Sequence, residues 1–154
     1  MNVRKKSDFL SEYVTNQYPI DKFKKLIFIS IDIVQAFLIA LEEGYDYSLS
    51  SIALYTEKYG SSVRNNNSKI ESILIKNMSN EEDMKKFLSC YFRAYMLLND
   101  EEKLMFNVTF IEKLTDMQVI IKYDTYPDHI QLVRKNTIVK FCLKSGLDKF
   151  VDII

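Results

Sequence analysis

Apolar residues recur every three or four positions along much of this 154-residue chain, a spacing that gathers them on one face of an α-helix. The spacing predicts a short helix over residues 6–17 and a longer one over residues 21–43, which Gly44 would end in the left-handed conformation. The centre of the longer segment, residues 27–34, alternates in part like a β-strand. We predict a helix there because residues 35–43 continue it without a turn signal.

The middle of the chain contains shorter predicted elements. Residues 45–50 form a predicted loop, and a short helix follows over residues 51–59. Residues 61–67 are the most polar and turn-prone stretch of the chain, which is typical of a linker. Apolar spacing then predicts a helix over residues 68–77 and a longer one over residues 80–98.

Capping residues mark three successive helix starts in the second half of the chain. Ser79 with Glu82, and Thr115 with Gln118, have the spacing of a capping box. In that motif the first side chain accepts from the third helical amide, and the third side chain accepts from the amide of the cap. Asn99 is a favoured cap for the helix between them. The helix that begins after Thr115 is predicted to be only about eight residues long.

The last predicted helix begins at Pro127, after a short break at residues 123–126, because the missing N–H of proline costs nothing in a first helical turn. Within this helix, residues 127–144, one face is expected to be buried: Ile130, Val133, Thr137, Ile138 and Phe141. The opposite face is expected to be exposed: Asp128, Gln131, Leu132, Lys135, Asn136 and Val139. A short helix, a tight turn and a longer helix with a half-polar face form the plan of a helix-turn-helix.

The predicted exposed face carries side chains that suit DNA reading. Gln131 and Asn136 can each form two hydrogen bonds with adenine. Lys135 can reach the acceptors of guanine, and Leu132 can contact a thymine methyl group. Four flanking residues are predicted to contact phosphates: Lys122, Thr125, Arg134 and Lys140. Similar helix pairs also occur in helical proteins that never bind DNA, so a protein-interaction role stays open.

Composition supports an all-α fold class. The chain holds only three Gly and two Pro, too few for the tight turns of a sandwich or a barrel. Hydrophobic residues make up 47 % of it, enough for a real core. The formal net charge is zero, which argues against a protein that coats nucleic acid non-specifically but permits a local basic face.

The sequence offers no enzymatic constellation. His129 is the only histidine, and with two separated cysteines it cannot assemble a tetrahedral zinc set. A lone histidine at a helix start is more often a solvated or capping side chain than a catalyst. Phosphate-binding loops and dinucleotide fingerprints are missing, and the acidic residues after the helix caps complement helix dipoles. We therefore expect a protein that is not an enzyme, with no cofactor and no metal.

Cysteine usage and hydropathy bear on location. Cys90 and Cys142 each lie within an apolar helical pattern, which favours buried reduced thiols over a disulfide. Residues 1–25 lack the apolar run of a signal peptide. Residues 26–41 are apolar but too short and too interrupted for a membrane span. A cytoplasmic location without membrane association is the expectation.

Residues 110–141 resemble region 4 of bacterial sigma factors. The segment from Thr115 to Ile120 stands where that region begins its first helix, and the segment from Ile130 to Ile138 matches its recognition helix. The layout of residues 60–146 is similar to the ArpU and RinA group of phage-type late transcription regulators. Four features carry this wider resemblance: Ser61 to Asn66, the long helix 80–98, Asn99 to Lys103, and the ending Lys140 to Cys142. The resemblance implies a sigma region 4-like helix-turn-helix and promoter DNA as its ligand.

These patterns predict three regions. Residues 1–60 form an N-terminal helical region for homodimerisation or for contact with RNA polymerase, residues 61–98 are connecting helices, and residues 99–154 form the helix-turn-helix DNA-binding unit. The leading hypothesis is a sequence-specific transcription regulator of phage or mobile-element late genes. The alternative is a helical module that docks on RNA polymerase or another regulator without binding DNA.

Overall fold

A computed structural model of the protein describes residues 17–42 and 81–153. Every regular element in these ranges is helical, which confirms the all-α fold class. The elements in chain order are α1 (Ile20–Glu42), α2 (Glu81–Met96), α3 (Asp100–Phe106), a π-helical segment (Asn107–Ile111), α4 (Asp116–Tyr123), α5 (Pro127–Ser145) and a 3₁₀ helix (Leu147–Ile153). None of the helices in the described ranges is long and apolar enough to cross a membrane.

Several predicted elements lie outside the described residues. These are the helix at 6–17 except for its last residue, the loop at 45–50, the helix at 51–59, the linker at 61–67, the helix at 68–77, and the cap at Ser79. They stay predictions.

The helix α1 confirms the prediction of a helix over residues 21–43 as far as residue 42, including the stretch in which apolar residues alternate; residue 43 and the predicted cap at Gly44 lie outside the described residues. Ile27, Ile29 and Ile33 are all fully buried because α1 packs against both α5 and the 3₁₀ helix. A helix that is apolar on several sides is typical of the interior of a domain. Ser30 is also buried, and its hydroxyl donates to the Ile27 carbonyl at 2.7 Å, so no hydrogen-bonding group is left unpaired there.

The main hydrophobic core lies where α1, α2, α3 and the 3₁₀ helix pack around α5. Phe106 and Phe141 form its centre, with ring centroids 4.8 Å apart, and Tyr91 meets Phe141 edge to face at 5.4 Å. Fully burying a phenylalanine side chain is worth about 1.5–3 kcal/mol. Residues on both sides of the predicted boundary between 98 and 99 belong to this core. The boundary therefore does not coincide with a break in the packing.

The junction between α3 and α4 sets the position of the helix-turn-helix. The π-helical segment ends at Ile111, and two residues later Lys113 is left-handed, with a φ of 55°. The next amide, that of Leu114, donates to the Val108 carbonyl at 2.9 Å, a bond typical of chains that turn away at a helix end. This sharp turn leaves Thr115 in the extended conformation that a helix cap requires.

Candidate nucleic-acid interface

The first helix of the candidate site, α4, begins with the predicted capping box. The Thr115 hydroxyl accepts from the Gln118 amide at 3.2 Å, and the Gln118 side chain accepts from the Thr115 amide at 2.8 Å. The helix that follows, Asp116–Tyr123, is eight residues long, as predicted. The local sequence therefore determines both where α4 starts and how its first turn is satisfied.

The turn between the two helices consists of Asp124, Thr125 and Tyr126. Asp124 adopts the left-handed conformation, with φ 48° and ψ 56°, and its amide donates to the Ile120 carbonyl. Glycine commonly occupies this position, but aspartate tolerates left-handed backbone better than most residues. Tyr126 is extended and Pro127 opens α5, which confirms the predicted helix start. The absence of a turn glycine is thus no obstacle to the helix-turn-helix path.

A second, smaller core holds the two helices on α3. It contains Met105 and Val108 from the α3 region, Val119 from α4, and Ile130 and Val133 from α5. All five side chains are buried. Helix α4, the turn and α5 are therefore the outer part of a three-helix unit in which α3 is the supporting helix.

Arg134 ties this unit together on its polar side. Its guanidinium donates to Asp116 on α4 at 2.6 Å and to the Thr109 hydroxyl at 3.4 Å. The hydrogen bond from Arg134 also lowers the pKa of the Asp116 carboxyl. The phosphate contact predicted for Arg134 stays a prediction, and it would have to share a guanidinium that already joins α4 to α5.

Lys140 and Lys122, also predicted to contact phosphate, are engaged in the protein as well. Lys140 donates to the buried Glu102 carboxylate at 2.9 Å. Lys122 donates to Glu112 at 3.3 Å, and that hydrogen bond raises the pKa of Lys122. Thr125 is half-buried in the turn. Of these three, the largely exposed Lys122 is the most accessible to a phosphate.

The residues predicted to read bases divide into two groups. Gln131 and Leu132 are exposed and Lys135 is half-buried, so three of the four reach the surface of α5. Asn136 is only 1 % exposed, and its predicted role as an outward base reader is wrong. Val139, also predicted to be exposed, is fully buried.

The reason for both errors is the position of α5 in the fold. Helices α1, α2 and α3 all pack against α5, so the four residues 136–139 are buried on every side of the helix. A helix pattern with one buried and one exposed face therefore does not describe these four residues. The exposed part of the N-terminal half of α5 is therefore limited to its first two and a half turns: Asp128, Gln131, Leu132 and Lys135.

Two acidic residues of α3 have roles that the sequence analysis missed. Glu101 forms an ion pair with His129, and Glu102 forms one with Lys140, so both join α3 to α5. Their place after a helix cap predicted only an interaction with the helix dipole. Glu102 also completes a capping box with Asn99, and the spacing of three residues between them was a sequence signal for that part. The ion pairs depend on tertiary packing and had no such signal.

Large apolar side chains are exposed on α4 and the turn. Ile121 is 75 % exposed and Met117, one helical turn before it, is 64 % exposed. Tyr126, in the turn that follows α4, is exposed as well. These residues add apolar contact area to a surface whose cations are partly paired.

Within residues 17–42 and 81–153, no three His, Cys, Asp or Glu side chains are grouped so that they could hold a metal ion. Both cysteines are free thiols, as predicted; Cys142 is buried, but Cys90, also predicted to be buried, is only half-buried. No protein-family model, curated protein or solved structure matches the chain.

Proposed function

We propose that the protein is a sequence-specific DNA-binding transcription regulator that uses α4, the turn and α5 as a helix-turn-helix. The observation that carries the proposal is that Gln131 and Leu132 are exposed and Lys135 is half-buried in the first turns of α5, immediately before the buried stretch 136–139. Recognition helices of this type contact base edges through their N-terminal residues. The resemblance to phage-type late regulators supports promoter DNA of phage or mobile-element genes as the ligand.

Each exposed side chain has a defined role in this proposal. Gln131 forms two hydrogen bonds with adenine, Lys135 donates to guanine, and Leu132 packs on a thymine methyl group. Asp128, at the second position of α5, can accept from the amino group of cytosine but would repel a phosphate. The start of α5 is therefore suited to the groove floor, with the phosphates lying to either side.

The charges predict a shallow dependence on salt. Arg134 and Lys140 are held by carboxylates, which leaves Lys113, Lys122 and Lys144 as the exposed lysines of the unit. About three phosphate contacts per protomer would give a slope near −3 in a plot of log affinity against log salt concentration. Most of the discrimination would then come from the base contacts.

The experiment is a selection of DNA duplexes from a random pool by the full chain, followed by fluorescence anisotropy with the selected duplex. We expect Lys135→Ala to weaken binding by about 1–3 kcal/mol. The control is Lys149→Ala, an exposed lysine of the 3₁₀ helix, which should bind normally. Enrichment of no sequence, together with no binding at low salt, contradicts the proposal.

One observation favours a second function. The exposed Met117 and Ile121 on α4 are apolar, and a phosphate backbone offers them no partner. They suit a helical module that docks on RNA polymerase or another regulator without binding DNA. Under this alternative Met117→Ser and Ile121→Ser would abolish the protein contact, and no DNA fragment would bind at any salt concentration.

A further inference from the structure

A cleft of about 150 Å³ opens within the three-helix unit, between α3, α4, the turn and the start of α5. Its walls are mostly apolar and include Leu104 and Val108 from the α3 region, Val119 from α4, and Ile130 from α5. Protein cores are packed about as densely as organic crystals, with few voids larger than a water molecule. This cleft is open to solvent on one side and borders the smaller core, so a small molecule can enter it from the surface.

The volume defines the size of the molecule that fits. An engineered closed apolar cavity of about 150 Å³ accepts a molecule such as benzene, and this cleft, although open to solvent on one side, has a similar volume. The cleft therefore suits a single six-membered ring or an aliphatic group of similar volume. A nucleotide or a peptide is too large for it.

The polar residues at the edge of the cleft determine which polar group a ligand can carry. Glu101 and His129, which form an ion pair, stand at the cleft, and the side chain of Glu101 is 24 % exposed. Thr125 also lines it, whereas no lysine or arginine of residues 17–42 and 81–153 does. A carboxylate can only accept hydrogen bonds. A ligand with a hydrogen-bond-donating group is favoured over an anion.

We propose that this cleft binds a compact apolar molecule of ring size that carries one hydrogen-bond donor, with the donor directed at Glu101. The ring lies against the exposed Leu104, with the almost fully buried Val108, Val119 and Ile130 at the base of the cleft. Because the walls belong to α3, α4, the turn and α5, the bound molecule joins the start of α5 to its supporting helix. If the proposed function is correct, such a molecule regulates DNA binding. The binding itself does not depend on that function.

The test is an NMR titration of the full chain, with labelled methyl groups and without DNA. The probes are phenol and toluene, which have the same size and differ in that only phenol donates a hydrogen bond. We expect both to produce saturable shifts at the methyl groups of Leu104, Val108, Val119 and Ile130. The methyl groups of Ile27, in the main core, should not shift. Shifts spread over the whole protein, or shifts that do not saturate, would overturn the proposal.

Two variants separate the apolar part of the proposal from the polar part. Val108→Ile adds one methylene group to the wall and should weaken both probes at least threefold. Glu101→Gln should weaken phenol at least threefold and leave toluene unchanged, whereas Glu82→Gln, an exposed control on α2, should change neither. The assignment is overturned if both test variants bind the probes with unaltered affinity. It is also overturned if another part of the chain already fills the cleft. Because no DNA is present, failure here is distinct from failure of the proposed function.

Discussion

Glu102 is a buried carboxylate on which both the start of α3 and the packing of α3 against α5 depend. Its side chain is only 1 % exposed, and one of its oxygens accepts from the Asn99 amide at 2.9 Å and from the Lys140 ammonium at 2.9 Å. Substitution by alanine removes both bonds at once. It also leaves the Lys140 ammonium without its carboxylate.

The expected loss of stability follows from these two bonds. Removing one partner of a fully buried ion pair costs about 3–5 kcal/mol. The Lys140 side chain is 23 % exposed and can regain water, which reduces that cost. Loss of half of a capping box adds a cost of about 0.5–1 kcal/mol. We therefore expect Glu102→Ala to lower the free energy of unfolding by about 2–4 kcal/mol.

Urea unfolding followed by far-ultraviolet circular dichroism measures this loss. The control is Glu112→Ala, which removes an exposed carboxylate paired with Lys122 and should cost less than about 1 kcal/mol. In the double variant Glu102→Ala with Lys140→Met, the loss should be smaller than the sum of the two single losses, because no unpaired charge remains. Equal small losses for Glu102→Ala and Glu112→Ala would refute the reasoning.

Three further predictions concern reactivity, pH and capping. Burial raises the pKa of the Cys142 thiol. Iodoacetamide should therefore modify the half-buried Cys90 first and Cys142 only on unfolding. Equal rates of modification of the two cysteines, measured by mass spectrometry, would contradict this. Burial raises the pKa of Tyr91 to about 12, above its unfolded value of about 10. The stability from the neutral phenol is present below pH ~10 and is lost as the pH rises towards ~12, and Tyr91→Phe should flatten that loss in urea unfolding. Thr115→Ala should cost about 0.5–2 kcal/mol and Thr115→Ser much less; a similar cost for both would count against the cap.

The elements that position the candidate site could be predicted from local sequence. A cap satisfies amides within its own helical turn, so Thr115 with Gln118 fixes the start of α4 without help from distant residues. The fixed φ of Pro127 does the same for α5. Each of these signals acts over four residues or fewer, and each lies at the predicted position in the structure.

The side-chain environments along α5 could not be predicted in the same way. Apolar spacing identifies one buried face, but it does not show how many helices pack on α5. Asn136 is polar, and Val139 is three residues later on the same helix face, so an exposed face was predicted there. Both residues are buried beneath neighbouring helices. The ion pairs of Glu101 and Glu102 join residues 28 and 38 positions apart in sequence. Only the packing of α3 on α5 creates them.

The proposed function depends on contact between the exposed start of α5 and base edges. A substitution at Gln131 is the most direct test of that contact. The measurement is the affinity of wild type and Gln131→Ala for a panel of duplexes in which each base pair of the selected site is replaced in turn. We expect the variant to lose about 1–3 kcal/mol of discrimination at one base pair and to keep the others. Loss that is uniform over the whole site, or a preference identical to that of wild type, would contradict direct reading by α5.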